Sequence, residues 1–493
     1  MAMAHWEIQG WMILILGWVF VPFYTRSMVY TMPEFLERRY NPQSRTILSV
    51  ISLVSYVLTK VAVTVYAGGL VFQQVFGIKE LWGIDFFWIA AIGLVVLTAL
   101  YTIFGGMKSV LYTSVLQTPI LLLGSLIILV LGFKELGGWD EMMRVCGAVT
   151  VNDYGDTMTN LIRSNDDANF PWLGALIGSA IIGFWYWCTD QFIVQRVLSG
   201  KNEMEARRGT IFGAYLKLLP VFLFLIPGMI AFALHQKYIG AGGEGFLPML
   251  ENGTANADAA FPTLVAKLLP AGVKGLVVCG ILAALMSSLA SLFNSSAMLF
   301  TIDFYKRFRP QTSEKKLVGI GQVATVVIVI LGILWIPIMR SVGDVLYTYL
   351  QDVQSVLAPG IAAAFLLGIC WKRTSAQGGM WGLISGMVIG LTRLGAKVYY
   401  SNAGEVADST FKYLFYDMNW LFFCGWMFLF CIIVVIVVSL ATEAPTAEKI
   451  QGLVFGTATK EQKASTRASW NHWDIIHTVI ILAITGAFYW YFW

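Results

Sequence analysis

Charge is scarce in this chain. Of 493 residues only 13% are Asp, Glu, Lys or Arg, and the net charge is +4. A balance that small, with its signs sorted by loop rather than gathered on one face, argues against a nucleic-acid partner. Cysteine is scarce too: there are six, no disulfide framework. Cys188, Cys279, Cys370, Cys424 and Cys431 lie in apolar runs and read as small core residues, while Cys146 alone falls in a long polar loop. No Cys/His metal spacing, phosphate-cradling loop or low-complexity tract occurs. No nucleophile, general base and orienting group converge by spacing, so an enzyme is not expected. Met1 to His5 carry no charged region, apolar core and cleavage site, which excludes a secretory signal.

Apolar residues fill the space that charge leaves. The chain is 57% hydrophobic and 14% aromatic, with mean hydropathy +0.70, which puts it in the polytopic membrane class. A spanning helix needs about 20 apolar residues, and about twelve such stretches occur. They lie near 7–25, 46–77, 85–105, 109–133, 172–192, 209–235, 274–302, 317–339, 345–370, 379–398, 419–441 and 475–493. All should be helical, because a backbone in hydrocarbon must satisfy its own hydrogen bonds.

Lysine and arginine mark alternate loops: Arg26 to Arg45, Lys108, Arg196 to Arg208, Lys306 to Lys316, Lys372 and Arg373, and Lys449 to Arg467. These predict the cytoplasmic face. The acidic 135–170 loop and the 237–262 loop (Glu244, Glu251, Asp258) then fall outside, as do both chain ends. An outer N-terminus without an insertion signal predicts further chain upstream of Met1. The segment P-E-F-L-E-R-R-Y-N-P-Q-S-R, 33–45, predicts a short amphipathic helix at the interface, closed by Asn-Pro.

Polar residues inside these spans are the candidates for function. Lys217 sits in a helix that Pro220 and Pro227 should break; it reads as a donor to a hydroxylated or anionic solute, or as a lysine lying along the interface. Lys60 reads as a donor or as a structural partner to a carbonyl. Trp185, Tyr186 and Trp187 offer aromatic faces to a sugar or a cation, or form an interfacial belt. Asp190 could pair with Arg196. Ser287, Ser291 and Ser295 follow an i, i+4 row with Ser288 adjacent. Such a row serves helix packing, or a sodium site in which the Ser287 and Ser288 hydroxyls and the Ala284 carbonyl supply hard oxygen ligands. Gln351, Asp352 and Gln354 open a span that Ala358-Pro359-Gly360 should interrupt, the sequence pointer to a transporter binding site.

At these residues the chain resembles the solute:sodium symporter family, in particular its sodium/glucose cotransporter branch. The resemblance rests on F-W-Y-W-C-T-D-Q-F-I-V-Q-R (184–196), Y-L-K-L-L-P (215–220), S-S-L-A-S-L-F-N-S-S (287–296), F-T-I-D-F-Y-K (300–306) and P-G-I-A-A-A-F-L-L-G-I-C-W-K-R (359–373). Y-T-I-F-G-G-M-K-S-V (101–110) and Y-T-M-P-E-F-L-E-R-R-Y (30–40) add to it. It implies an all-α polytopic fold of the leucine-transporter type, with two inverted five-helix repeats, preceded by one helix and followed by three. The twelve spans fit that scheme with the first two family helices absent. Residues 1–134 would then be the remainder of the first repeat, 171–373 the second, and 374–493 the extra helices.

By matching position the resemblance implies sugar contacts at Lys217 and Gln351, with Tyr186, beside Trp185, covering the sugar on its inner side. It implies sodium ligands at Ala284, Ser287 and Ser288, an outer gate at Tyr347, and a lysine counterpart for Lys60. Trp6 stands where a sugar-binding glutamate is expected, with Glu7 next to it. Gly183 stands at an asparagine position, and Ser114 replaces an aspartate tied to a second sodium or the ion's exit. The expectation is a symporter of the plasma (inner) membrane that imports sodium with a glucose- or galactose-like sugar or a polyol. Its rivals are a symporter of another solute such as a sugar acid or inositol, a non-transporting sugar sensor, and an inactive form.

Overall fold

The computed structural model describes residues 1–29, 31–250, 253–342, 345–403 and 407–493. Tyr30, Glu251 and the side chain of Lys108 lie outside the described residues. Eleven long helices carry the described fold: α1 Ala4–Ser27, α2 Pro42–Phe76, α3 Phe86–Leu136, α4 Trp172–Thr189, α5 Glu203–Gly240 and α6 Ala271–Phe308. They continue with α7 Glu314–Val342, α8 Leu346–Cys370, α9 Ala376–Asn402, α10 Trp420–Ala441 and α11 His472–Tyr491. Among the described residues, ten segments have the length and hydropathy to cross a bilayer. They match ten of the twelve expected spans; the other two are Phe86–Leu100, inside α3, and α9.

Three breaks expected from sequence are absent. The spans near 85–105 and 109–133 form one unbroken helix of 51 residues, a rod of about 76 Å against a hydrocarbon core of ~30 Å. No loop therefore intervenes at Lys108. Pro220 and Pro227 do not break α5; the helix widens to a π turn over Val221–Leu225 and continues, which absorbs the missing amide donor of Pro220. Pro359-Gly360 does not interrupt α8, which runs unbroken to Cys370. Gly360 is there for packing: a Cβ on it would lie 3.0 Å from the Gly386 Cα, so α8 and α9 cross backbone against backbone.

The interfacial segment is helical over Met32–Arg39, with Thr31 as its cap, and Asn41 caps α2 directly behind it, with Pro42 in the first turn. Buried Arg39 donates to the Gly368 carbonyl at 2.7 Å and the Trp371 carbonyl at 3.2 Å, at the C-terminal end of α8 where a cation is favoured. The cysteines divide differently from expectation. Cys279 and Cys370 are exposed on outward helix faces, whereas Cys146 is fully buried, with its thiol toward the Met229 carbonyl. The loop around it folds into a helix, Trp139–Gly147, that packs on α5.

The start of α8 depends on a residue far away in sequence. Both Asp258 oxygens accept from the Leu346 amide at 3.1 Å, one of the orphan donors of a helix N-terminus. Burial pushes this carboxyl up to about 6, against the Leu346 bond, which lowers it. An acid with a raised folded-state pKa binds more protons folded than unfolded, so stability falls as pH rises through the window from about 4 to 6. Thermal unfolding in detergent should record that decline in the native chain and a flatter profile in Asp258→Asn. An equal slope in both would refute the assignment.

Candidate functional site

Helix α1 is interrupted just past Glu7, where Ile8 and Gln9 leave helical geometry before Gly10 resumes it. The break turns the Glu7 carboxylate between α5 and α8. Lys217 Nζ donates to Glu7 Oε2 at 2.7 Å, and the Tyr347 hydroxyl donates to Glu7 Oε1 at 2.9 Å. One turn along α8 from Tyr347, buried Gln351 presents an Oε1 atom with no hydrogen-bond partner among the described residues. The Trp187 ring closes one side, 5.6 Å from Lys217 Nζ. Four helices thus contribute to one small polar cluster whose charges cancel.

A second cluster lies at the end of α4, where the chain turns extended at Asp190 before a short helix, Gln191–Leu198. Asp190 pairs with Lys60 of α2, not with Arg196 as sequence proximity suggested. Its other oxygen accepts from the Tyr56 hydroxyl at 2.9 Å and from the Phe192 amide at 3.0 Å. Lys60 faces the rings of Tyr56, Tyr186 and Phe192 at 4.7, 5.0 and 4.4 Å. Lys60 and Tyr186 each sit in a π turn, Tyr56–Val61 and Phe184–Thr189, a local widening that recurs at functional sites. Trp185, by contrast, packs in the core at 3% exposure, so it is Trp187 that accompanies Tyr186 toward the lysines.

Serine hydroxyls form the third group. Ser287 Oγ lies 2.6 Å from Ser114 Oγ, which brings the serine expected at an aspartate position against the expected ligand set. Ser291 and Ser295 return their hydroxyls to the Ser287 and Ser291 carbonyls and receive Arg196 and Gln195 of the short helix. Ser288 is exposed on the open side of α6, and Ala284 is half-buried. The three groups are linked. Tyr186 and Trp187, in contact at 5.1 Å, bridge Lys60 to Lys217, and Arg196 ties the Asp190 helix to the serine row.

Sequence alone missed Tyr56, Phe192 and Gln9. Gln9 carries the clearest signal in retrospect: a Cβ on Gly183 would lie 2.4 Å from Gln9 Oε1, so the amide of α1 fills the space that an asparagine at 183 would need. Gln9 is buried and donates to the Ser179 carbonyl at 2.8 Å.

A break in an apolar helix, acids and lysines paired between apolar helices and a hydroxyl row on a third helix are the parts of a transporter. The model of the sodium:solute symporter family matches residues 1–386. The chain belongs to that family. It is 36% identical to the sodium/mannose cotransporter of Bos taurus, over all of this chain and 85% of that protein. It is 35% identical to human sodium/myo-inositol cotransporter 2, over 92% of this chain and 68% of that one. A Na+-coupled sialic acid symporter, solved substrate-bound and outward-open, superposes with a TM-score of 0.67 at 21% identity, covering 90% of this chain and 84% of that one. The fold is accordingly the mostly helical, polytopic one of leucine-transporter type, with a two-stranded hairpin, Glu80–Leu81 against Ile84–Asp85, between α2 and α3. This symporter is an integral multi-pass membrane protein, not an enzyme, and sodium is its coupling ion.

Proposed function

We propose that the chain imports a neutral, polyhydroxylated solute, a sugar or a polyol such as inositol, together with sodium by alternating access. The observation that carries this reading is the cluster of Glu7, Lys217, Tyr347 and Gln351. A sugar hydroxyl both donates and accepts, so two neighbouring hydroxyls can accept from the Lys217 ammonium while one donates to the Glu7 carboxylate and the other to the Gln351 oxygen, which has no partner among the described residues, with Trp187 and Tyr186 against the CH-rich face of the solute. The one-to-one pairing of Glu7 and Lys217 weighs against a sugar acid, whose carboxylate would need a cation not already neutralised. The names of the mannose and inositol relatives point the same way.

Sodium, the co-transported ion, takes oxygen ligands, and Ser287, Ser288 and the Ala284 carbonyl supply them, with Ser114 in contact with Ser287. Tyr347 serves as the outer gate and Tyr186 as the inner one. Binding is reciprocal: sodium raises solute affinity by the factor by which solute raises sodium affinity. The repeats rock around the site, 1–134 against 171–373, with 374–493 outside the cycle, and the basic loops, the Lys108 position within α3 excepted, lie on the cytoplasmic side of the plasma membrane.

Proteoliposomes holding the full chain should accumulate labelled mannose, glucose or inositol against a gradient in sodium and not in choline. Ser288→Ala should raise the sodium concentration for half-maximal uptake. Equal uptake in the two media ends the proposal, and binding without accumulation would make the protein a sensor.

A further inference from the structure

Helix α7 leans on two neighbours at two heights. Gly332 packs so closely on α2 that an added Cβ would stand 2.4 Å from Val61 Cγ1. Nearer its start, Gly321 packs on α6, where an added Cβ would stand 3.1 Å from the Ala297 Cβ. Below the Gly332 contact α7 and α2 part, and the gap between them is a groove of about 690 Å³. Val54 and Val57 form one wall, Val323 and Val327 the other, and Phe300 lies at the base. The lining is almost wholly apolar except at one end, where Lys316 enters it.

The groove faces the bilayer, so its occupant comes from the bilayer, and charge selects among lipids. From Lys316 to Leu331, α7 rises about 22 Å, more than the ~15 Å of one leaflet of a ~30 Å core, so an acyl chain fits lengthwise. Between Lys306 and Lys316 the chain holds five cations and one acid, and Arg307 folds back to the Pro42 carbonyl at 2.8 Å, at the first turn of α2. The basic end of the groove therefore lies where the headgroup of a lipid in that leaflet would sit.

We propose that this groove binds an anionic glycerophospholipid, one acyl chain along α2 and α7 and the phosphate at Lys316. The occupant would brace the turn that carries Lys60. The inner end of the groove is closed by Leu58, whose carbonyl accepts from the Tyr349 hydroxyl at 3.1 Å, and that hydroxyl accepts from Trp335 Nε1 at 2.6 Å.

Native mass spectrometry of the full chain, equilibrated with dioleoyl phosphatidylglycerol or dioleoyl phosphatidylcholine, tests this. The anionic lipid should be retained preferentially. Lys316→Gln should weaken its retention about fivefold, the effect of one lysine near an anionic headgroup, and Val57→Trp, which fills the groove, should remove the retained lipid. Lys316 is exposed, so its variant carries little folding penalty. Equal retention of the two lipids, or retention unaltered in either variant, overturns the proposal.

Discussion

Asp190→Asn is expected to lower stability by about 3–5 kcal/mol, the cost of leaving a buried charge without its partner. Lys60 and Asp190 are among the most enclosed ionic side chains of the fold, at 9% and 2% exposure. The Tyr56 hydroxyl and the Phe192 amide fix the carboxylate, and three aromatic rings surround the ammonium. In Asp190→Asn the amide oxygen can still accept from Tyr56 and Phe192, so the loss reports the charge and not the turn. Lys60→Met with Asp190→Asn removes both charges and should restore most of the melting temperature, because an apolar replacement of a buried pair is close to neutral. Transport by that double variant then separates the roles. Recovered uptake would make the pair a structural clamp of α2 on α4, whereas stable protein with lost uptake would make it part of the transport cycle. A single variant that melts like the native chain would refute the account of burial.

The fold was legible because its signal is redundant. Each long apolar run must be helical in hydrocarbon, and the expected spans coincide with the observed helices within several residues, apart from 85–105 and 109–133, which merge into α3. Helix breaks were less legible. Proline and glycine at 220, 227 and 359–360 suggested interruptions, but a π turn in α5 and the close packing of Gly360 on Gly386 absorb them. The real break, at Ile8 and Gln9, contains neither residue. The site was legible by residue type and illegible by partner. Lys217 and Lys60 declared themselves by being charged inside a span. Their carboxylates, Glu7 and Asp190, lie 210 and 130 residues away, and nothing local encodes that pairing. Phase was the other hidden quantity. Adjacent residues on a helix point about 100° apart, so a run such as Trp185-Tyr186-Trp187 cannot say which ring is core. The same ambiguity lies between Trp6 and Glu7: Trp6 stacks on Trp420 at 5.5 Å and is buried, while Glu7 faces the lysine.

Glu7→Gln and Lys217→Met should each reduce solute affinity roughly 10–100-fold, the range set by about 1.5–3 kcal/mol for a hydrogen bond to a charged group. Each variant also leaves its former partner as a lone charge in the membrane, so a loss of stability will accompany the loss of affinity, and the two must be separated. The double variant does this. With both charges gone the desolvation cost of the orphan disappears, and the melting temperature should return toward the native value. Affinity should not return, because a solute hydroxyl then meets an amide and a thioether where it met a carboxylate and an ammonium. The exposures of 22% for Glu7 and 15% for Lys217 support this separation, since a pair that is partly open can exchange its mutual contact for contacts with a solute. Tyr347→Phe extends the logic: it removes the other donor to Glu7 without touching the charge balance, and should cost affinity with a smaller drop in melting temperature than either charge variant. Initial uptake rates across a solute concentration series, measured beside thermal melts of the same preparations, give both quantities. If affinity recovered in the double variant along with stability, the pair would be a strut between α1 and α5, and the solute would have to bind elsewhere.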